Sequence, residues 1–171
     1  RGLKVRVVGS PMYGEIMTGM GANPTFMSWA DAQPALASGA VDAQENPLEV
    51  FLAAKINTLG QKYVTKWNYS NDILLFAIAA PVWASWTPAD QKIVREAGID
   101  AAAQQIALVR KLYAEDVDRV RALGVDVHVP TPAESTQWQI ACRRVYARWK
   151  VATNAALVGK IEQVVEQSRK S

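Results

Sequence analysis

Two residue types that carry much of enzyme chemistry are almost missing from this 171-residue chain, which has one cysteine, Cys142, and one histidine, His128. A single cysteine excludes an internal disulfide, and a single histidine excludes a multi-histidine metal cluster. One nucleophile–base pair can still be drawn, Cys142 with His128. Their contexts differ, because Cys142 lies in a helical pattern (WQIACRRVYARW) and His128 in an alternating strand (VDVHVP). A packed thiol and a strand-face imidazole is the simpler reading, so no catalytic residue, cofactor or metal is expected. Long apolar runs are also absent. The longest, Ile73 to Trp86, is interrupted by Pro81 and falls short of the ~18 to 20 residues of a membrane span, so no membrane insertion is expected. The charge is modest: 19 basic residues are spread among 16 acidic ones for a net +3, which argues against a nucleic-acid partner. There are no repeats and no low-complexity tracts.

What is present is an ordered α/β pattern. Half of the residues are hydrophobic and 20% are charged, enough for a sizeable core in one domain, or in one domain and part of another. Leu3 to Val8 alternates apolar and basic residues, which predicts a strand with Leu3, Val5 and Val7 on a core face and Lys4 and Arg6 on the other. Arg6 reads either as a solvated strand-face cation or as an anion-binding group. The second reading draws on Gly9-Ser10-Pro11, where Ser10 can cap a helix starting at Pro11, because a guanidinium beside a helix N-terminus favours negative charge.

The densest stretch runs from Ala22 to Pro47, ANPTFMSWADAQPALASGAVDAQENP. It predicts a strand ending at Phe26-Met27 and a helix capped by Ser28 with Asp31 and stopped by Gly39. A second short strand, Val41 to Glu45, follows, and then a helix with Asn46 as its cap and Pro47 at its first position. Trp29, Glu45 and Asn46 therefore fall at element ends, where α/β proteins keep ligand-contacting groups. Trp29 is either a core aromatic or a pocket wall, and Pro34 should bend or shorten its helix.

Further on, Pro47 to Ile56 reads as an amphipathic helix and Tyr63 to Tyr69 as strand-like, ending in turn residues Ser70-Asn71-Asp72. Ile73 to Ala79 has the length and apolar continuity of a strand buried on both faces. Pro81 to Trp86 predicts a short helix. Thr87-Pro88-Ala89-Asp90 then opens a helix that nothing but Gly98 interrupts before Gly124, about 54 Å long at 1.5 Å per residue. A strand from Val125 to Val129, a capping box at Thr131 to Glu134, a helix to about Lys150 and a last helix over roughly Val151 to Arg169 complete the chain. Strand–helix alternation of this kind predicts an α/β fold with largely parallel strands.

The series R-V-V-G-S-P, G-A-N-P-T and A-L-A-S-G-A-V-D-A-Q-E-N-P resembles the DctP-like family of substrate-binding proteins of TRAP transporters, and the similarity continues through W-T-P-A-D-Q-K-I-V-R-E-A. The resemblance implies a two-lobed architecture like the type II periplasmic binding proteins, of which most of the N-terminal lobe is absent here. In that scheme residues 1–71 form a second-lobe α/β segment. Residues 72–113 hold a crossover strand and the start of a long inter-lobe helix, and residues 114–171 return to the second lobe. It also implies a periplasmic, non-enzymatic protein that captures a small organic carboxylate and delivers it to TRAP membrane permease subunits. The family's carboxylate-binding arginine matches Arg6, its aromatic matches Trp29 and the asparagine of its Q-E-N-P matches Asn46. Glu45, Ser10, Trp67, Asn68 and Tyr69 are further substrate-binding candidates, the last three placed by neighbourhood. A small cysteine hydrolase and a helical interaction module are the competing classes.

Overall fold

The computed structural model describes residues 2–70 and 73–168. Its first unit is a three-stranded parallel sheet in the order β2-β1-β3, formed by β1 (Lys4–Val7), β2 (Asn23–Phe26) and β3 (Ala43–Gln44). Helix α1 (Pro11–Gly19) connects β1 to β2, and α2 (Trp29–Ala37) connects β2 to β3. These are the crossovers that parallel strands require. Val5 and Val7 pack with Met17 of α1 in one core cluster. Arg6, on the opposite strand face, is also buried, 4% exposed, because β1 is the central strand and both of its faces are covered. The solvated reading of Arg6 is therefore wrong, and Leu3, expected in the core, is exposed.

Serine at position 28 caps α2 as its sequence predicts, accepting from the Asp31 N–H at 3.2 Å and donating to the Asp31 carboxylate at 2.6 Å. Pro34 lies inside α2, which nevertheless continues to Ala37, and Gly39 follows at φ +72°, the left-handed turn that glycine adopts without strain. Two other caps differ from expectation. Ser10 makes no side-chain bond to α1, since its carbonyl closes the first turn instead. Pro47, not Asn46, is the N-cap of α3 (Leu48–Ala53). Lys55, at φ +51°, then ends that helix, and the chain continues as a 3₁₀ turn over Ile56–Leu59.

A second, two-stranded parallel sheet pairs β4 (Tyr63–Thr65) with β5 (Asp126–His128). Between them run α4 (Ala80–Ser85) and α5 (Pro88–Ala122), 35 residues and about 52 Å long, unbroken at Gly98. Only the C-terminal part of α5 reaches a core: Val120 joins Leu36, Val41, Phe51, Ile56, Val125 and Val127 in the larger cluster. The chain closes with α6 (Pro132–Thr153) and α7 (Ala155–Ser168). Thr131 and Glu134 form the capping box at the start of α6.

The Ile73–Ala79 segment is not the doubly buried strand its composition suggests. Ile73, Leu74, Leu75 and Phe76 are each 78 to 85% exposed. A strand needs a hydrogen-bonded neighbour, and among the described residues none lies alongside. The strand read over Tyr63 to Tyr69 stops at Thr65, and Asn68 turns at φ +50°. On α7, Ile161 and Val165 are also exposed. Residues 71 and 72, the expected turn and first segment boundary, and Arg169, the expected helix end, lie outside the described residues.

Candidate solute site at the ends of three strands

Parallel strands deliver their C-terminal ends to one edge of the sheet, the usual place for a ligand in an open α/β fold. Arg6 is at that edge, in register with Thr25 of β2 and Gln44 of β3. Its Nε and Nη2 both donate to the Met27 carbonyl oxygen, at 3.2 and 3.0 Å. The guanidinium carbon lies 5.4 Å from the ring centre of Trp29, at the first turn of α2. The strand end of β2 and the cap of α2 thus hold one edge of a planar, five-donor group. Burial pulls the Arg6 pKa down and the nearby Glu45 carboxylate opposes that shift.

Glu45 follows Gln44 immediately and accepts the Tyr69 hydroxyl at 2.6 Å. Tyr69 stacks on Trp67, with ring centres 4.1 Å apart and 19° between planes, and meets the edge of Tyr13 at 6.0 Å. Trp67 in turn meets Trp138 of α6 edge-on at 5.8 Å. Burial, then the bond to Glu45, pushes the Tyr69 phenol far above its ordinary pKa, so it keeps its proton. The Asn46 side-chain amide donates to Gln44 Oε1.

The structure brings Arg6, Trp29, Glu45, Asn46, Trp67 and Tyr69 to this edge or the wall beside it. Asn68 is directed elsewhere, accepting the Tyr113 hydroxyl of α5 at 2.9 Å, and the Ser10 hydroxyl makes no cap. Sequence reasoning missed Gln44, which strand pairing sets beside Arg6, and the ring neighbours Tyr13 and Trp138. The D-A-Q-E-N-P motif contained the signal for Gln44. The rings are separated from it in sequence, so only folding reveals them.

The competing thiol chemistry finds no geometry in its favour. Cys142 Sγ faces the Ile16 carbonyl at 3.9 Å and burial raises its pKa, whereas His128 Nε2 lies 3.2 Å from Glu134. Among the described residues no group of three or more histidine, cysteine or acidic side chains is placed to hold a metal ion. No helix among them is long and apolar enough to cross a membrane. A surface groove between α3 and α5, lined by Leu52, Lys55, Leu112, Arg119 and Leu123, is separate from the Arg6 edge.

A family model described as bacterial extracellular solute-binding protein, family 7, matches residues 1–152. The chain belongs to this family. A TRAP periplasmic solute-binding protein of Ralstonia eutropha H16, solved with (S)-2-acetolactate bound, is 51% identical, with a TM-score of 0.94 over 98% of this chain and 55% of its own. The 2,3-diketo-L-gulonate-binding periplasmic protein of Escherichia coli K12 is 31% identical over 131 residues, 74% of this chain and 38% of its own. A solute-binding protein of Roseobacter denitrificans is 30% identical over 124 residues, 72% of this chain and 38% of its own. The chain therefore spans between a third and just over half of the length of these three relatives. Family-7 proteins of this kind are two-lobed α/β proteins, and the parallel sheets and long α5 belong to that architecture.

Proposed function

We propose that this chain supplies one wall of the solute site of a periplasmic TRAP-transporter binding protein, and that Arg6 anchors the carboxylate of a small organic acid. The observation that carries the reading is Arg6 itself: a nearly buried guanidinium, tied along one edge to a neutral carbonyl and set against Trp29. A planar donor group held this way suits bidentate pairing with a carboxylate. Trp29 on one side and the Trp67–Tyr69 stack on the other supply apolar and aromatic walls. Asn46 and Gln44 add amide groups beside the anchor. The acetolactate bound by the 51% identical neighbour is a small carboxylate. A second lobe closing over the edge completes the cleft in this reading, and the loaded protein docks on TRAP membrane permease subunits.

The test is calorimetric titration of the full-length protein with organic acids. Arg6→Ala is expected to cost ~2 to 5 kcal/mol of binding, roughly 30-fold or more. Arg6→Lys is expected to restore little, because an ammonium lacks the planar fork. Binding by the alanine variant within threefold of the parent would show that the anchor lies elsewhere.

A further inference from the structure

Residues 73–112 leave the body of the molecule and return to it, outward by the segment after β4 and back by α5. They hold together as one unit, since Phe76 lies against Gly98 and the Gln91 amide donates to the Trp83 and Trp86 carbonyls. Residues 101–111 of α5 are all exposed, whereas Asp116 and Val120 are buried, so Leu112 and Tyr113 mark where the helix meets the body. On the outward segment the Lys66 N–H donates to the His128 carbonyl at 2.9 Å, at the end of the β4–β5 ladder. Asn68 then turns at φ +50°, a left-handed conformation that asparagine tolerates better than most residues. The side chains here alternate in direction. Trp67 packs against the Val5–Val7–Met17 cluster and the Tyr69 hydroxyl donates to Glu45. Lys66 and Asn68 both meet Tyr113: the ammonium lies 4.0 Å from the centre of its ring, and Asn68 Oδ1 accepts its hydroxyl at 2.9 Å. One side chain of α5 thus ties the outward and returning stretches to each other at the level where both leave the body.

We propose that Tyr113 is a positioning residue: its clasp on Lys66 and Asn68 fixes the direction in which the 73–112 unit leaves the body and so holds the chain in its solute-binding arrangement. The consequence for binding rests on the function proposed above. The arrangement is shared with the acetolactate-bound neighbour, whose TM-score of 0.94 extends over 98% of this chain, projecting unit and body alike. A solute meeting a chain already held in that arrangement has less freedom to remove, and its affinity rises accordingly. A hydroxyl–amide hydrogen bond and an exposed cation–π contact are each modest in strength, so together they bias a hinge without locking it. The clasp involves no contact with the solute, which separates its role from that of Arg6.

The experiment uses the full-length protein in a cysteine-free background, with spin labels on cysteines placed at Ala40 on the body and Asp100 on the projecting part of α5. Pulsed electron resonance then reads the distribution of distances between them. Tyr113 is 47% exposed and belongs to neither core cluster, so its variants should fold. Without solute, Tyr113→Ala, which loses both contacts, should widen the distribution, and Tyr113→Phe, which keeps the ring over Lys66, should fall between it and the parent. The tightest binder from a panel of small carboxylates, acetolactate and succinate among them, should at saturation return both variants to the parent's distribution. In calorimetry with that acid, Y113A should bind roughly three- to tenfold more weakly than the parent and Y113F should lose less. Equal ligand-free widths in the parent and Y113A overturn the inference. So does a Y113A variant whose distribution widens while its affinity stays within twofold of the parent's. If no acid of the panel binds the parent, the proposed function fails, and the ligand-free widths still decide whether Tyr113 fixes the unit.

Discussion

The 171-residue chain expressed by itself is expected to self-associate through Ile73–Phe76 and to bind its solute weakly. Ile73, Leu74, Leu75 and Phe76 are 81, 80, 85 and 78% exposed, and Phe76 lies against α5 beside Gly98, where an added Cβ would sit 3.4 Å from its ring. Val82, Ile93 and Ile99 extend the apolar surface along α4 and α5. Burying one such side chain fully is worth ~1.5 to 3 kcal/mol, so the four residues of the segment represent roughly 6 to 12 kcal/mol of unused burial. That is of the same order as the ~4 to 15 kcal/mol that joining two molecules costs. Sedimentation velocity over a concentration series should therefore show a shift from monomer to larger species in the micromolar range, and the double variant L74S/L75S should suppress it. Solute affinity should be millimolar or weaker, because a cleft binder buries ~70 to 90% of a small ligand between two walls and, under the proposed function, this chain provides one. A monodisperse monomer at ~100 µM that binds the full-length protein's solute with micromolar affinity would refute both the exposed-face argument and the half-site argument.

Two further outcomes follow from particular side chains. Asn46→Ala should weaken carboxylate binding at least fivefold in calorimetry while lowering ligand-free stability by only about 0.5 to 1.5 kcal/mol, since Asn46 bonds Gln44 and does not cap α3; a folded variant with unchanged affinity would remove Asn46 from the site. Thr131→Ala should cost about 1 kcal/mol through loss of the α6 cap, measured by chemical denaturation. The Thr131 backbone and then side-chain hydrogen bonds hold the Glu134 pKa below its ordinary value. The carboxylate's contribution is thus complete above the unfolded carboxylate pKa and lost as pH falls through the lowered folded value. The T131A penalty should shrink on acidification, and a pH-independent penalty would argue against the bond from the Thr131 hydroxyl to the Glu134 carboxylate.

Most of the helices were legible because their punctuation is local. Thr87-Pro88 with Asp90, Thr131-Pro132 with Glu134, and Ser28 with Asp31 all form the caps that their spacing implies, and Gly124 ends the long helix at φ +75°. Strand lengths were less legible, because a strand ends where its partner ends. The expected strand Val41 to Glu45 has only two residues, Ala43 and Gln44, paired with β1. Ile73 to Ala79 has strand composition and no partner among the described residues. Asn46 illustrates a different limit: both it and Pro47 can precede a helix, and the competing amide bond to Gln44 draws Asn46 back toward the sheet edge.

The same distinction explains why Arg6 was ambiguous as a residue and informative as a structure. Alternation assigned it to the face opposite Val5 and Val7, which is correct, but could not say that β1 would be central and that face covered. Once covered, a guanidinium must be compensated, since burying an unpaired charge costs far more than a hydrogen bond returns. Its compensation here is partial in kind. The hydrogen bonds from Nε and Nη2 end on the neutral Met27 carbonyl, Trp29 offers the face of a ring, and Glu45 attracts through space while accepting a hydrogen bond from the Tyr69 hydroxyl. A carboxylate arriving at the remaining edge of the fork would complete that compensation with two charge-assisted bonds. Under the proposed function, the strand edge thus supplies an electrostatic reason to take up an organic anion, one that a solvated Arg6 would not provide.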